Sequence, residues 1–232
     1  MDSTLPTINT GRLDEAGMEI ACVILKPDTI EDGRKDAIVA YLKDFCKNNG
    51  MRIVEERQIP PEIADPMRRM HFDGDAKLEE TGEKVLKAFM RIGMDEVQYS
   101  DILKKHGLDA RDKKKIGRWI MYMETRSYEG KGSHLIVVAG VDAINKLFSI
   151  RGGSDPMFAE DGTLRHMFSN KMSITEMFDG DGGKTLDNVL HIPNTIEEIN
   201  RHLHAYTGKG YQEMLNEINS QQPNSSCDRL RR

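Results

Sequence analysis

Little in this chain offers a shortcut to its chemistry. Only three cysteines, Cys22, Cys46 and Cys227, occur in 232 residues, so neither a disulfide framework nor a CxxC metal knuckle is present. The longest apolar run, Leu135 to Val141, falls well short of the ~20 residues that span a bilayer. The opening MDSTLPTINT lacks the basic and apolar regions of a signal peptide. Nor is there an excess of positive charge: 33 basic against 38 acidic residues leave a net −5, which argues against general binding to a nucleic-acid backbone. What is present is 38% hydrophobic and 31% charged residues, enough apolar matter for a sizeable core. A soluble, cytoplasmic globular protein without membrane association is expected.

Residues 1–17 are polar and read as a flexible arm. Met18 to Lys26 is a buried strand that Pro27 must end. Ala37, Ile38, Tyr41, Leu42 and Phe45 recur at helical spacing, and Asn48, Asn49 and Gly50 close that helix. Met51 to Ile59 is a second strand, stopped by Pro60 and Pro61. Residues 73–132 hold dense charge and read as several short helices. Leu78, Val85, Leu86 and Phe89 share one face there, and Val97, Ile102 and Leu103 begin another. Ser133 to Val141 is the clearest strand, followed by a helix over Asp142 to Ile150. A Gly/Pro/Asp-rich loop covers 151–165, and 166–187 looks irregular. Asn188 to Ile192 is a fourth strand, and Asn194 or Thr195 can cap the helix after it. From 221 to 232 the chain is a polar tail. The order predicts one α+β domain over 18–220 with a single antiparallel sheet, interrupted by insertions at 73–132 and 166–187.

Residues suited to chemistry gather at strand ends and in loops. Lys26 ends the first strand, Arg165 follows a Gly-Thr turn, and Asn188 and His191 bracket the fourth strand. Two cations, an amide and an imidazole suit the holding of an anion against a nucleophile, and phosphoryl transfer needs chiefly such positioning and positive charge. Histidine, mostly neutral at pH 7, has a ring lone pair that can attack. Other apparent motifs fail. Gly183-Lys184-Thr185 has Phe178 where a P-loop needs its first glycine, and DGDGG at 179–183 lacks a calcium-loop register. The Lys113 to Lys115 run reads as a solvated helix face. His202 and His204 point to different sides of a helix and make a poor metal pair, so no protein metal ligand is assigned.

Four segments, VILKPDTI (23–30), FSIRGGSDP (148–156), DGTLRHMF (161–168) and NVLHIPNTIEE (188–198), occur in an order and spacing that resemble the nucleoside diphosphate kinase family. The resemblance implies a ferredoxin-like α+β sandwich with an antiparallel four-stranded sheet. It implies ping-pong transfer of the γ-phosphate of a nucleoside triphosphate to a nucleoside diphosphate through phosphorylated His191. Mg²⁺ would arrive on the nucleotide phosphates, and the chain would self-associate. Carried over position by position, Lys26 and Arg165 hold the transferred phosphate, Asn188 contacts the sugar hydroxyl, and Ser154 replaces a phosphate-binding threonine. Phe72 replaces a tyrosine. Phe148 stands at a family arginine, which Arg151 can replace if its side chain turns back into the site. Pro193 replaces a serine, and His202 stands at a glutamate that orients the histidine. Glu197 and Glu198 are near enough in sequence to compensate. The alternative reading is a catalytically weak relative that binds nucleotide as a regulatory or interaction module.

Overall fold

In the computed structural model, residues 17–70, 74–179 and 188–220 are described. Phe72, the 180–187 segment and the two terminal arms lie outside that range. Strand β1 (Met18–Leu25) leads into α1 (Pro27–Glu31), α2 (Lys35–Asn48) and β2 (Met51–Ile59). Next come α3 (Pro61–Met70), α4 (Asp75–Arg91), α5 (Glu96–Lys105) and α6 (Lys113–Tyr128). Strand β3 (Ser133–Val141) and α7 (Ala143–Ser149) precede a 3₁₀ turn at Pro156–Phe158. The chain then forms α8 (Leu164–Phe168), α9 (Ile174–Asp179), β4 (Leu190–His191), α10 (Ile196–Thr207) and α11 (Tyr211–Ser220).

The four strands form one antiparallel sheet in the order β2-β3-β1-β4. Strands β1 and β3 are buried along almost their whole length, so both faces of the sheet are covered rather than one. Their β-branched side chains form a core with Ile38 and Leu42 of α2, Leu147 of α7 and Ile199 and Leu203 of α10. No helix among the described residues is long and apolar enough to cross a membrane.

Several boundaries differ from the sequence expectation for identifiable reasons. Pro61 starts a helix instead of merely ending a strand, because proline fits the first helical turn, where its missing N–H has no partner to lose. The charged middle region holds two long helices, α4 and α6, rather than several short ones. Leu78, Val85, Leu86 and Phe89 do share a buried face, but Val97 is 70% exposed and Tyr99 takes the inward place with Leu103. Asp95 and Gln98 close a reciprocal capping box that starts α5. The fourth strand shrinks to two residues. Val189, just before it, has φ 49°, a left-handed conformation that a β-branched residue adopts only under constraint. Lys26 N and Thr29 Oγ1 both donate to the Val189 carbonyl, at 3.0 and 2.7 Å, and supply that constraint.

A second hydrophobic cluster lies among α4, α5, α6 and α9, with Phe89 against Tyr99 and Phe178, and Trp119 stacked on Phe178. Helices α4 and α6 pack backbone to backbone. A Cβ at Gly82 would stand 1.9 Å from the Lys113 carbonyl oxygen, and one at Gly117 would stand 2.0 Å from that of Leu78. Alanine at an open helical site stabilises by up to about 1 kcal/mol over glycine. Here the sign reverses. Gly82→Ala and Gly117→Ala are each expected to destabilise by about 1–3 kcal/mol through overpacking, lowering the melting temperature by roughly 2–4 °C per kcal/mol. Lys87→Ala, on the exposed side of α4, serves as the control. Thermal melts that rise with either glycine replaced would contradict the close approach.

Candidate active site

The pairing of β4 with β1 sets Ile24 opposite His191 and Leu25 opposite Leu190. His191 therefore stands beside the end of β1, where Lys26 leaves the sheet. Lys26 cannot continue the strand, because Pro27 opens α1. Both side chains line a cavity of about 490 Å³, together with Arg151, Ser154, Arg165 and Asn188. Six of the seven site residues expected from sequence thus meet at one place; the seventh, Phe72, is outside the described residues.

Their environments differ. The His191 side chain is 20% exposed, and its Nε2 lies 3.1 Å from Glu198 Oε1. Glu198 sits in the first turn of α10, and Thr195 caps that helix by accepting from the Glu198 amide at 3.2 Å. The Thr-x-x-Glu spacing of a capping box fixes where Glu198 stands, and its carboxylate reaches the imidazole. His202, one turn further along α10, is buried, with its ring centroid 5.2 Å from that of His191. A carboxylate on one ring nitrogen selects the tautomer with its proton there and leaves the lone pair on the other. Glu198 thus favours Nε2–H and a nucleophilic Nδ1.

The Arg151 side chain turns back into the cavity, the orientation on which its use there depends. Its guanidinium carbon lies 4.0 Å from the centroid of the Phe148 ring, so the phenylalanine is a platform under the guanidinium. The buried Nε of Arg151 has no hydrogen-bond partner. Burial lowers its pKa, with Glu198 and Glu160 acting in the opposite direction. A guanidinium that is desolvated, stacked and short of an acceptor is well prepared for an anion.

Arg165 is committed elsewhere. Its Nη1 donates to the carbonyls of Gly152 and Gly153, its Nη2 to that of Leu190 and its Nε to that of Asn188. Four of the five guanidinium N–H groups are therefore spent on backbone. It ties the 152–153 loop to β4 and holds the floor of the cavity, rather than presenting an open fork to a phosphate. Burial, then the neighbouring Arg151 charge, pulls its pKa down. Gly152 (φ 84°) is required in that loop, since a Cβ would lie 2.4 Å from Thr163 Oγ1. Ser154 is exposed at the rim. The Asn188 side chain keeps a buried Oδ1 without a hydrogen bond.

Sequence reasoning missed Glu124. It projects from α6 and forms an ion pair with Lys26 that is largely shielded from solvent. Tyr128, one turn later, places its ring 5.6 Å from Lys26 Nζ and donates through its hydroxyl to Asp28 at 3.2 Å. The α4–α6 region is therefore part of the site. Lys77, Thr81, Lys84 and Ala88, spaced along one stripe of α4, line the same cavity, as do Ile120 of α6 and Met177 of α9. The only signal was the helical spacing of that stripe, which names no ligand.

No protein-family model and no curated protein matches the chain. Solved structures do. An NDP kinase from Pyrobaculum aerophilum superposes with a TM-score of 0.65 at 24% identity, over 84% of this chain and 98% of its own. A nucleoside-diphosphate kinase from Borrelia burgdorferi, a transition-state mimic with bound vanadate and ADP, gives 0.54 at 16%, over 85% and 90%. At such identities the likeness is one of architecture: the chain has the nucleoside diphosphate kinase fold.

Proposed function

We propose that this protein transfers a phosphoryl group from a nucleoside triphosphate to a nucleoside diphosphate through His191. The observation that supports this most is the His191–Glu198 hydrogen bond beside two cationic side chains in a cavity of nucleotide size. With Nε2–H donated to Glu198, the Nδ1 lone pair attacks the γ-phosphorus in line. The bond from phosphorus to the bridging oxygen breaks, and the nucleoside diphosphate leaves with its electron pair. A second nucleoside diphosphate then attacks the phosphorus, and the imidazole is regenerated. Lys26 and Arg151 neutralise the phosphoryl oxygens, the Asn188 side chain meets the sugar, and Ser154 donates at the rim. The nucleotide would arrive as its Mg²⁺ complex, the ion offsetting the negative charge of the phosphates without a ligand from the protein. The apolar wall from α4, α6 and α9 suits the flat face of a base. Self-association belongs to the same reading.

Incubation with γ-labelled ATP and Mg²⁺ should give acid-labile, base-stable label that chases onto GDP, with none on His191→Ala. Glu198→Gln is expected to lower the phosphorylation rate by about 10–100-fold, the range seen when a group that orients a histidine is lost. Protection of the fold by nucleotide without any label would instead favour the binding-module reading, which the commitment of Arg165 to backbone also supports.

Glu124 must yield Lys26 before phosphate can take it. Glu124→Gln removes the competing charge while keeping the shape. The KM for nucleotide should fall by about 3–5-fold, the equivalent of roughly 1 kcal/mol. A KM that rises would show that Glu124 helps to hold the substrate.

A further inference from the structure

His202, beside the His191 ring, has no part in the phosphoryl transfer proposed above, and it completes a donor set with His191 and Glu198. Glu198 and His202 are four residues apart on α10 and so project from the same face. His191 reaches that face from β4. One ligand atom from each of the three lies within 4.8 Å of the other two. All three line the cavity. Two imidazoles and one carboxylate, with a fourth position open to the cavity, are the donor set of a three-ligand zinc site. Zinc bonds of about 2.1 Å in a tetrahedron need ligand atoms ~3.4 Å apart. His191 Nε2 and Glu198 Oε1, at 3.1 Å, are already near that spacing, and a His202 ring nitrogen lies within 4.8 Å of the ligand atoms of both.

We propose that His191, Glu198 and His202 bind a divalent cation of the zinc class, and that the bound metal withholds His191 from phosphate. Selectivity follows from the donors. Mg²⁺ wants oxygen ligands in an octahedron and finds a single carboxylate, whereas imidazole nitrogen suits zinc and its transition-metal neighbours. Arg151 and Arg165 line the same cavity and oppose a bare cation. An anion in the open fourth position answers that opposition, and the phosphate-binding side chains stand ready to hold one. A metal on Nε2 takes Glu198 as ligand and moves the ring proton to Nδ1, whose lone pair is then closed to phosphorus, so the two states exclude each other.

The site is read without any enzymatic assay. Metal-free, full-length protein is titrated with Zn²⁺ by calorimetry, and with Co²⁺ by visible absorption, in the presence of inorganic phosphate. One ion per chain, an intense tetrahedral cobalt spectrum and no competition from millimolar Mg²⁺ are expected. His202→Gln and His191→Ala should each weaken binding by about 10-fold or more. His166→Ala should leave it unchanged, since that half-buried histidine, 3.1 Å from Asp161, is a histidine–carboxylate pair outside the cavity. Circular dichroism melts verify that each variant folds, and His191→Ala decides the matter if His202→Gln does not. Zinc affinity that survives both substitutions, or that disappears in His166→Ala, would overturn the proposal, as would equal competition by Mg²⁺.

Discussion

Two pairs of residues hold this site in place. Ile24 opposite His191 and Leu25 opposite Leu190 are the whole of the β1–β4 pairing, yet they bring the imidazole to the end of the strand from which Lys26 emerges. So short a ladder is marginal by itself. It persists because Val189 beside it is clamped through its carbonyl by Lys26 N and Thr29 Oγ1, and because Arg165 grips the carbonyls of Asn188 and Leu190. The left-handed backbone at Val189 is a strain that these bonds hold in being. A buried arginine spent on carbonyl oxygens is thus not wasted charge; it positions the backbone on either side of His191 and the 152–153 loop.

The electrostatics follow from the same arrangement. Burial works against the charge on both arginines, and each meets the cost differently. Arg165 is satisfied by backbone, whereas Arg151 is only partly compensated, by stacking on Phe148 with Glu198 and Glu160 nearby, and its Nε is left without an acceptor. Lys26 is satisfied by Glu124, so the cation of the proposed phosphate site has a counter-ion from within the chain. That counter-ion comes from α6, whose position depends on glycines that let α6 lie directly on α4. Packing far from the imidazole therefore sets the charge beside it.

Much of this was legible in the sequence where local pattern and global fold agree. Strands β1 and β3 are continuous apolar runs rich in valine and isoleucine, and their burial leaves no other reading. Lys26, Arg151, Ser154, Arg165, Asn188 and His191 could be named because each stands at a strand end or in a glycine loop, in a recognisable order. Other features depend on geometry that sequence does not carry. Glu124 lies 98 residues from Lys26, and only the docking of α6 brings them together. Glu198 could be suspected, but whether its carboxylate reaches the ring depends on the angle between β4 and α10. Strand β4 is shorter than its sequence suggests, and nothing in Val189 itself signals a left-handed turn. The place of Arg165 in the sequence order suits a phosphate ligand; its four carbonyl partners come from segments that meet only in the folded chain.

The claim on which the functional reading rests most heavily is that Glu198 holds Nε2 of His191 and so leaves Nδ1 to take the phosphate. It can be tested by ³¹P–¹⁵N correlation on ring-labelled protein after exposure to ATP and Mg²⁺, which identifies the nitrogen bonded to phosphorus. Coupling of phosphorus to Nδ1 of His191 is the predicted result. Phosphorus on Nε2, or on a residue other than His191, would contradict it.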